Sequence, residues 1–297
     1  GVYDNVWTVG FKTGAPGTIA EVVSCSPDLP DFSVKSYVKA ANTNSDDSYF
    51  YGAPLIGERT IYGTLPANRS AFYVKADIYN PPLLLAQRLC NELKSNGIQV
   101  DGKPDVMWKR EKGARMRVAI HVIESPALSE IVSDINHRSN NHYAEHVYRY
   151  MGSKQGEGTD TDAGANVIKS YWKSRGLDTE GLLQFDGCGL STMNAITADF
   201  LVSLLIYEKN KAKYSDEFYE SLPVAGVNGT VKKLLKGTKL EGKVHAKSGS
   251  ISRTQCYAGY IEWKGETYAF AVMVNNFSGA RNSVLKAIEN VLLSVAN

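Results

Sequence analysis

Lys247-Ser248-Gly249-Ser250 offers a cation for a substrate carboxylate, a hydroxyl at Ser248 for the same group, and a glycine that lets a ligand backbone come close. The tetrapeptide follows a short strand-like stretch and precedes two longer ones. That order predicts an edge strand beside a cleft, where an extended peptide can pair with the main chain. Ser139-Asn140-Asn141 is the second candidate cluster. Its functional reading puts Ser139 in a proton relay and the Asn141 amide on a substrate backbone; its structural reading is a helix cap. Taken singly, the first motif is equally a solvated turn with a surface lysine and the second a cap.

Acyl transfer at such a site needs a nucleophile. Ser-x-x-Lys supplies one by placing both side chains on one helix face, so that the amine takes the hydroxyl proton. Ser36 with Lys39, Ser170 with Lys173 and Ser283 with Lys286 have this spacing, and Ser and Lys are common enough for several matches to arise by chance. A different chemistry overlaps the second motif. His142-Tyr143-Ala144-Glu145-His146 has the order His-x-x-Glu-His, in which two histidines one turn apart bind Zn²⁺ and the glutamate activates water. That reading needs a further acidic ligand at a cleft. His121, His137 and His245 are expected at strand or surface positions.

The elements that must position these residues follow from periodicity. Residues 1 to about 80 are rich in Gly, Pro, Asn, Ser and Tyr between short apolar runs such as 19–23 and 71–76, the pattern of short strands and tight turns. Leu83, Leu84, Ala86, Leu89, Cys90 and Leu93 then repeat at helical spacing and stop before Asn96-Gly97. A strand is predicted over Met116 to Ile123 and helices from Ser125-Pro126 through Ile135, then over 143–150, 163–174 and 198–207. Strands follow over 243–246, 255–263 and 267–274, with a closing helix over 284–295. Helices in the middle and paired strands at the end describe an α+β domain.

Composition narrows the partners. A net charge of +2 spread over 297 residues leaves no basic block for nucleic acid. Although 43% of residues are hydrophobic, no apolar run approaches the length of a transmembrane segment. The chain opens on Gly1-Val2-Tyr3 without Met or a leader-like stretch, which suggests a processed or excised polypeptide. Cys25, Cys90, Cys188 and Cys256 lack metal or redox spacing and could pair in three ways. Cys90, inside the apolar helix pattern, is expected as a small core residue.

Ser125-Pro126-Ala127-Leu128 leads into Ser139-Asn140-Asn141-His142-Tyr143-Ala144-Glu145, and Asp186-Gly187-Cys188-Gly189-Leu190-Ser191 follows. Leu222-Pro223-Val224-Ala225-Gly226-Val227-Asn228-Gly229-Thr230 and Gly242-Lys243-Val244-His245-Ala246-Lys247-Ser248-Gly249-Ser250 complete the series. In order and spacing these stretches resemble the class C, low-molecular-mass penicillin-binding proteins, the type-4 D-alanyl-D-alanine carboxypeptidases and endopeptidases. Ser248 stands where that family has Thr, which keeps the hydroxyl, and Cys188 where it has Ser.

The resemblance implies a β-lactamase/transpeptidase-like antiparallel sheet with helices, plus part of a β-rich inserted accessory domain. Residues 1–105 correspond to the partial accessory domain with its terminal helix and 106–297 to the C-terminal part of the serine peptidase domain. In the family Ser-x-x-Lys precedes the inserted domain, so its counterpart is expected upstream of Gly1, and the helices with Ser170 and Ser283 fall away from the cleft. The missing serine would attack the D-Ala-D-Ala carbonyl of a peptidoglycan stem peptide. Lys247, Ser248 and Gly249 would bind the terminal residue, Asn141 would orient the substrate amide, Ser139 would relay protons, and the Ser250 backbone N–H would supply half of an oxyanion hole. β-Lactams would inhibit by acylation; no metal or organic cofactor and no nucleic acid is implied. The substrate requires a periplasmic or other extracytoplasmic location. Two further readings stay open, a non-catalytic peptidoglycan-binding protein and a zinc metallopeptidase using His142, Glu145 and His146.

Overall fold

A computed structural model describes residues 5–29, 31–108, 118–119 and 121–296. The chain divides into two compact units, Gly1–Ala119 and Ile120–Asn297.

In the first unit eight strands precede one helix: β1 Val6–Lys12, β2 Glu21–Ser26, β3 Ser33–Ser36, β4 Lys39–Ala41, β5 Tyr49–Tyr51, β6 Glu58–Tyr62, β7 Thr64–Pro66, β8 Phe72–Asp77 and α1 Pro81–Ser95. Alternation sets β1: Trp7, Val9 and Phe11 share one face and are fully buried. That strand lies between β2 and β8, antiparallel to both. The β-rich reading holds, with a feature periodicity did not reveal. β3 runs parallel to β6, and β4 parallel to β7. Parallel pairing needs a long crossover, which the chain between each pair provides. Trp7 packs edge-on to Phe32 at 4.6 Å in the core. Arg59, only 2% exposed, donates to Asp77 Oδ2 at 2.8 Å and to the carbonyls of Ala53, Ile56 and Glu58, which offsets the cost of burying its charge.

The helix predicted from Leu83 is α1, capped by the Asn80 side chain, which accepts from Leu83 N at 3.2 Å, with prolines in the first turn. Its Cys90 is half-buried, not a core residue. Leu84 alone among its residues is buried, and a position six residues on lies about 120° around the helix from it.

The second unit contains α2 Leu128–Arg138, α3 Asn141–Lys154, α4 Thr161–Ser174, α5 Ala198–Lys211, α6 Ser215–Ser221, β9 Val244–Ile251, β10 Thr254–Trp263, β11 Glu266–Asn275 and α7 Arg281–Ser294. The short α6 has too few turns for a periodic signal. The strand predicted over Met116 to Ile123 falls partly outside the described residues; 118–119 and 121–123 carry no strand. The helix predicted from Ser125-Pro126 starts three residues later, at Leu128.

The three strands form one antiparallel sheet in the order β11-β10-β9. Lys264 and Gly265, with φ of 52° and 86°, make the two-residue left-handed turn that matches strand twist between β10 and β11. Side chains on β10 alternate between two cores. Tyr257 and Ile261 pack with Val231, Leu235 and Leu240 and with Ile288 and Leu292 of α7. Tyr260 points the other way, against Leu205 of α5 and Leu222, and its hydroxyl donates to Leu205 O at 2.7 Å.

Candidate active site

Lys247-Ser248-Gly249-Ser250 lies inside β9 rather than after a strand, and β9 is the end strand of its sheet. Hydrogen bonds fix which way its main chain faces. On the outer side Val244 O accepts from Ala225 N at 2.8 Å and Ala246 N donates to Pro223 O at 3.0 Å; on the inner side Lys243 O accepts from Glu262 N at 2.8 Å. Continuing that period of two, the N–H and C=O of Ser248 and Ser250 point away from β10, along an edge that no described strand covers. Lys247 and Gly249 direct theirs into the sheet, opposite Ala258 and Cys256.

Ser139 joins α2 to α3 in the left-handed conformation, φ 55° and ψ 51°, which costs a non-glycine residue on the order of 1 kcal/mol. The turn brings together residues 108 apart: Lys247 Nζ donates to Ser139 Oγ at 2.9 Å, and also to Ser248 O at 2.6 Å. The two readings of the triplet divide between its members. Asn140 is the cap, its Oδ1 accepting from Tyr143 N at 3.1 Å and its Nδ2 donating to Asp134 at 3.0 Å. All three residues of the triplet line a cavity of about 300 Å³ together with Lys247, Ser248, Gly249 and Ser250, Asn140 with its side chain already committed to the cap. Burial lowers the Lys247 ammonium below its ordinary pKa.

Sequence reasoning passed over several supports. Ser248 Oγ donates to Thr230 Oγ1 at 2.7 Å. Arg281, the first residue of α7, donates to Ser250 Oγ, to Gln255 Oε1 at 2.9 Å and to Ile251 O at 2.8 Å. Nothing local in the sequence marks an arginine thirty residues away as a brace for β9. The opposite wall is the 186–191 loop, whose Gly187, Cys188, Gly189 and Leu190 line the cavity. Burial works against the Asp186 charge, yet donors from the Asn194 side chain and from the backbone of Ser191, Gly189 and Leu190 outweigh it and hold the carboxyl below its usual range. A Cβ on Gly187 would stand 2.3 Å from Tyr148 Cβ, so this wall approaches α3 only because position 187 is glycine. Burial raises the Cys188 pKa and keeps it a thiol.

Glu145 is committed to structure: Oε1 accepts from Arg149 Nε at 2.8 Å and Oε2 from Gly187 N at 2.7 Å. The His142 and His146 rings lie with centroids 4.2 Å apart, tilted 59° to each other, and His146 Nδ1 lies 2.8 Å from His142 O. Among the described residues no three His, Cys, Asp or Glu side chains converge as a metal-ligand set. Of the Ser-x-x-Lys pairs, Ser36 ends β3 in the first unit, Ser170 and Lys173 lie on α4, and Ser283 and Lys286 on α7; none lines the cavity. His121 is exposed, His137 falls in the last turn of α2 and not on a strand, and His245 on β9 stacks on Tyr219 at 4.3 Å.

The sequence profile of the D-Ala-D-Ala carboxypeptidase 3 (S13) family matches residues 5–296. The chain is 32% identical over 232 residues to the D-alanyl-D-alanine carboxypeptidase of Actinomadura sp. (strain R39), covering 75% of this chain and 43% of that protein. It is 31% identical over 181 residues to penicillin-sensitive carboxypeptidase A of Dictyostelium discoideum, covering 57% of this chain and 34% of that one. The chain thus spans less than half the length of these curated relatives. Its fold matches a crystal structure of penicillin binding protein 4 (dacB) from Haemophilus influenzae complexed with a β-lactam, with a TM-score of 0.79 and 21% identity over 98% of this chain and 69% of that chain.

Proposed function

The chain belongs to the D-Ala-D-Ala carboxypeptidase 3 (S13) family, and from that premise we propose that it is part of a serine-type D-alanyl-D-alanine carboxypeptidase/endopeptidase acting on peptidoglycan stem peptides outside the cytoplasm. The observation that carries the reading is the 2.9 Å bond from Lys247 Nζ to Ser139 Oγ, which joins the two motifs at one cavity beside an open strand edge. Residues 1–105 are read as part of an inserted accessory domain and 106–297 as the C-terminal part of the peptidase domain.

The stem peptide lies along β9 as an added strand, pairing with the outward main-chain groups of Ser248 and Ser250. Lys247 and Ser248 hold its terminal carboxylate, Gly249 leaves room for its backbone, and the Asn141 amide holds the penultimate residue. The nucleophile comes from outside these 297 residues, because no Ser-x-x-Lys pair lines the cavity. Its hydroxyl attacks the scissile carbonyl, the Ser250 N–H stabilises the oxyanion, and the C–N bond breaks as Ser139 passes a proton to the departing amine. Water then hydrolyses the ester. A β-lactam enters the same path and forms the acyl-enzyme. No step calls for a metal.

The test is intact-mass spectrometry of the protein extended to the length of its relatives. One penicillin adduct per chain, mapping to a Ser-x-x-Lys serine, together with D-Ala release from a stem-peptide analogue, is the expected result. An adduct on Ser36, Ser170 or Ser283, or none at all, overturns it.

A further inference from the structure

The first unit carries an aromatic face that the proposed chemistry does not use. In the sheet ordered β3-β6-β5, Val34, Phe50 and Ile61 point into the core. Alternation therefore turns Lys35 and Tyr37, Thr60 and Tyr62, and Tyr49 and Tyr51 outward. Register places Tyr49 opposite Tyr62, and Tyr37 N donates to Ile61 O at 2.8 Å, so Tyr37 continues the β3 line beside Tyr62. The four rings touch in one cluster. Tyr62 stacks with Tyr37 at 5.2 Å and with Tyr49 at 6.3 Å, and Tyr51 stands edge-on to Tyr62 at 5.8 Å.

All four remain between 39% and 60% exposed, which four contiguous aromatic side chains do at a cost that burying any of them would remove. No hydrogen bond engages their hydroxyls among the described residues. Rings with free hydroxyls suit a ligand that is apolar on its C–H faces and rich in hydroxyl and amide groups at its edges. Charge narrows the class. The cation that alternation places among these rings, Lys35, is paired with Glu58 at 3.2 Å and so is not free to neutralise the phosphates of a nucleic acid.

We propose that this tyrosine face binds an uncharged polysaccharide strand through C–H packing on the rings and hydrogen bonds to the phenols. Its identity as the N-acetylated glycan backbone of peptidoglycan rests on the function proposed above. The first unit then holds the sugar polymer whose peptide the second unit processes.

The probe is a soluble hexamer of β-1,4-linked N-acetylglucosamine, which carries no peptide and so reports on this face whatever the fate of the catalytic reading. Titration of the 297-residue chain by NMR or calorimetry is expected to show binding that Tyr37→Ser with Tyr49→Ser weakens at least about tenfold, with an unchanged circular dichroism spectrum. Should the double variant misfold, nitration of the native chain decides instead: the hexamer is expected to protect Tyr49 and Tyr51 but not the exposed Tyr73 of β8. Absence of hexamer binding, full binding by a folded double variant, nitration unaffected by the hexamer, displacement by a single-stranded oligonucleotide, or a native dimer that the substitutions dissolve each overturns the proposal.

Discussion

Lys247 is partly desolvated and spends two of its three donors on Ser139 and on the carbonyl of Ser248, a geometry that on the proposed function leaves a cation aimed at an incoming carboxylate. In the extended enzyme Lys247→Ala should lower penicillin acylation efficiency by roughly 10²-fold or more, because a charge-assisted contact to a buried carboxylate also positions the scissile bond. Ser248→Thr keeps the hydroxyl and should leave acylation nearly unchanged. Burial lowers the Lys247 pKa, so the unfolded state binds the proton more readily than the folded one. Charging this lysine therefore opposes folding, and that cost is relieved as pH rises through the folded value. For function the sign reverses: carboxylate capture needs the ammonium and should fade on the alkaline limb at a lower pH than an exposed lysine would dictate. A pH profile of acylation in the extended enzyme, with and without Lys247→Arg, checks this; coincidence of the fall-off of the unsubstituted enzyme with that of an ordinary lysine would refute it. At this scale the sequence was informative where function sits on short contiguous motifs. It was silent on Arg281 and Thr230, which reach β9 from distant segments.

Among the elements, the 186–191 loop is held to α3 by Glu145, which accepts from Gly187 N, and within itself by the carboxylate of Asp186. The folded pKa of Asp186 is depressed, so its contribution is present above the unfolded value and disappears as pH falls through the lowered one. Asp186→Asn should abolish this acid-dependent loss and expose the loop to amide exchange at neutral pH; an unaltered exchange pattern would count against the account. The strand sandwich has a different vulnerability. Ile288 of α7 is 1% exposed against Tyr257 and Ile261, and Ile288→Ala should cost about 2–5 kcal/mol of unfolding free energy in urea titration. Helices and antiparallel strands of the second unit were legible because their apolar periods are long enough to distinguish. The parallel pairings of the first unit were not, since pairing partners 25 residues apart leave no local trace, and α6 was too short to announce itself.

For the whole molecule, none of the three Ser-x-x-Lys pairs lines the cavity, and burial raises the pKa of the Cys188 thiol in its wall. The 297-residue chain incubated with penicillin should therefore gain no covalent mass. A stoichiometric adduct on any residue of this chain would place the nucleophile within it after all. Family and fold class were readable from the order of five stretches spread over residues 125–250. The tyrosine face was not, because only the three-dimensional register shows that Tyr37, Tyr49, Tyr51 and Tyr62 share a surface.

The free edge of β9 bears on how such an enzyme can evolve. Side-chain contacts with a drug can be deleted one codon at a time, but the outward N–H of Ser250 belongs to the polymer itself and survives every replacement except proline. A proline there would remove the same contact from the natural peptide. On the function proposed above, drug and substrate share an inheritance along this edge, and a lineage under antibiotic selection is pushed toward changes in access or in deacylation rather than in the strand itself.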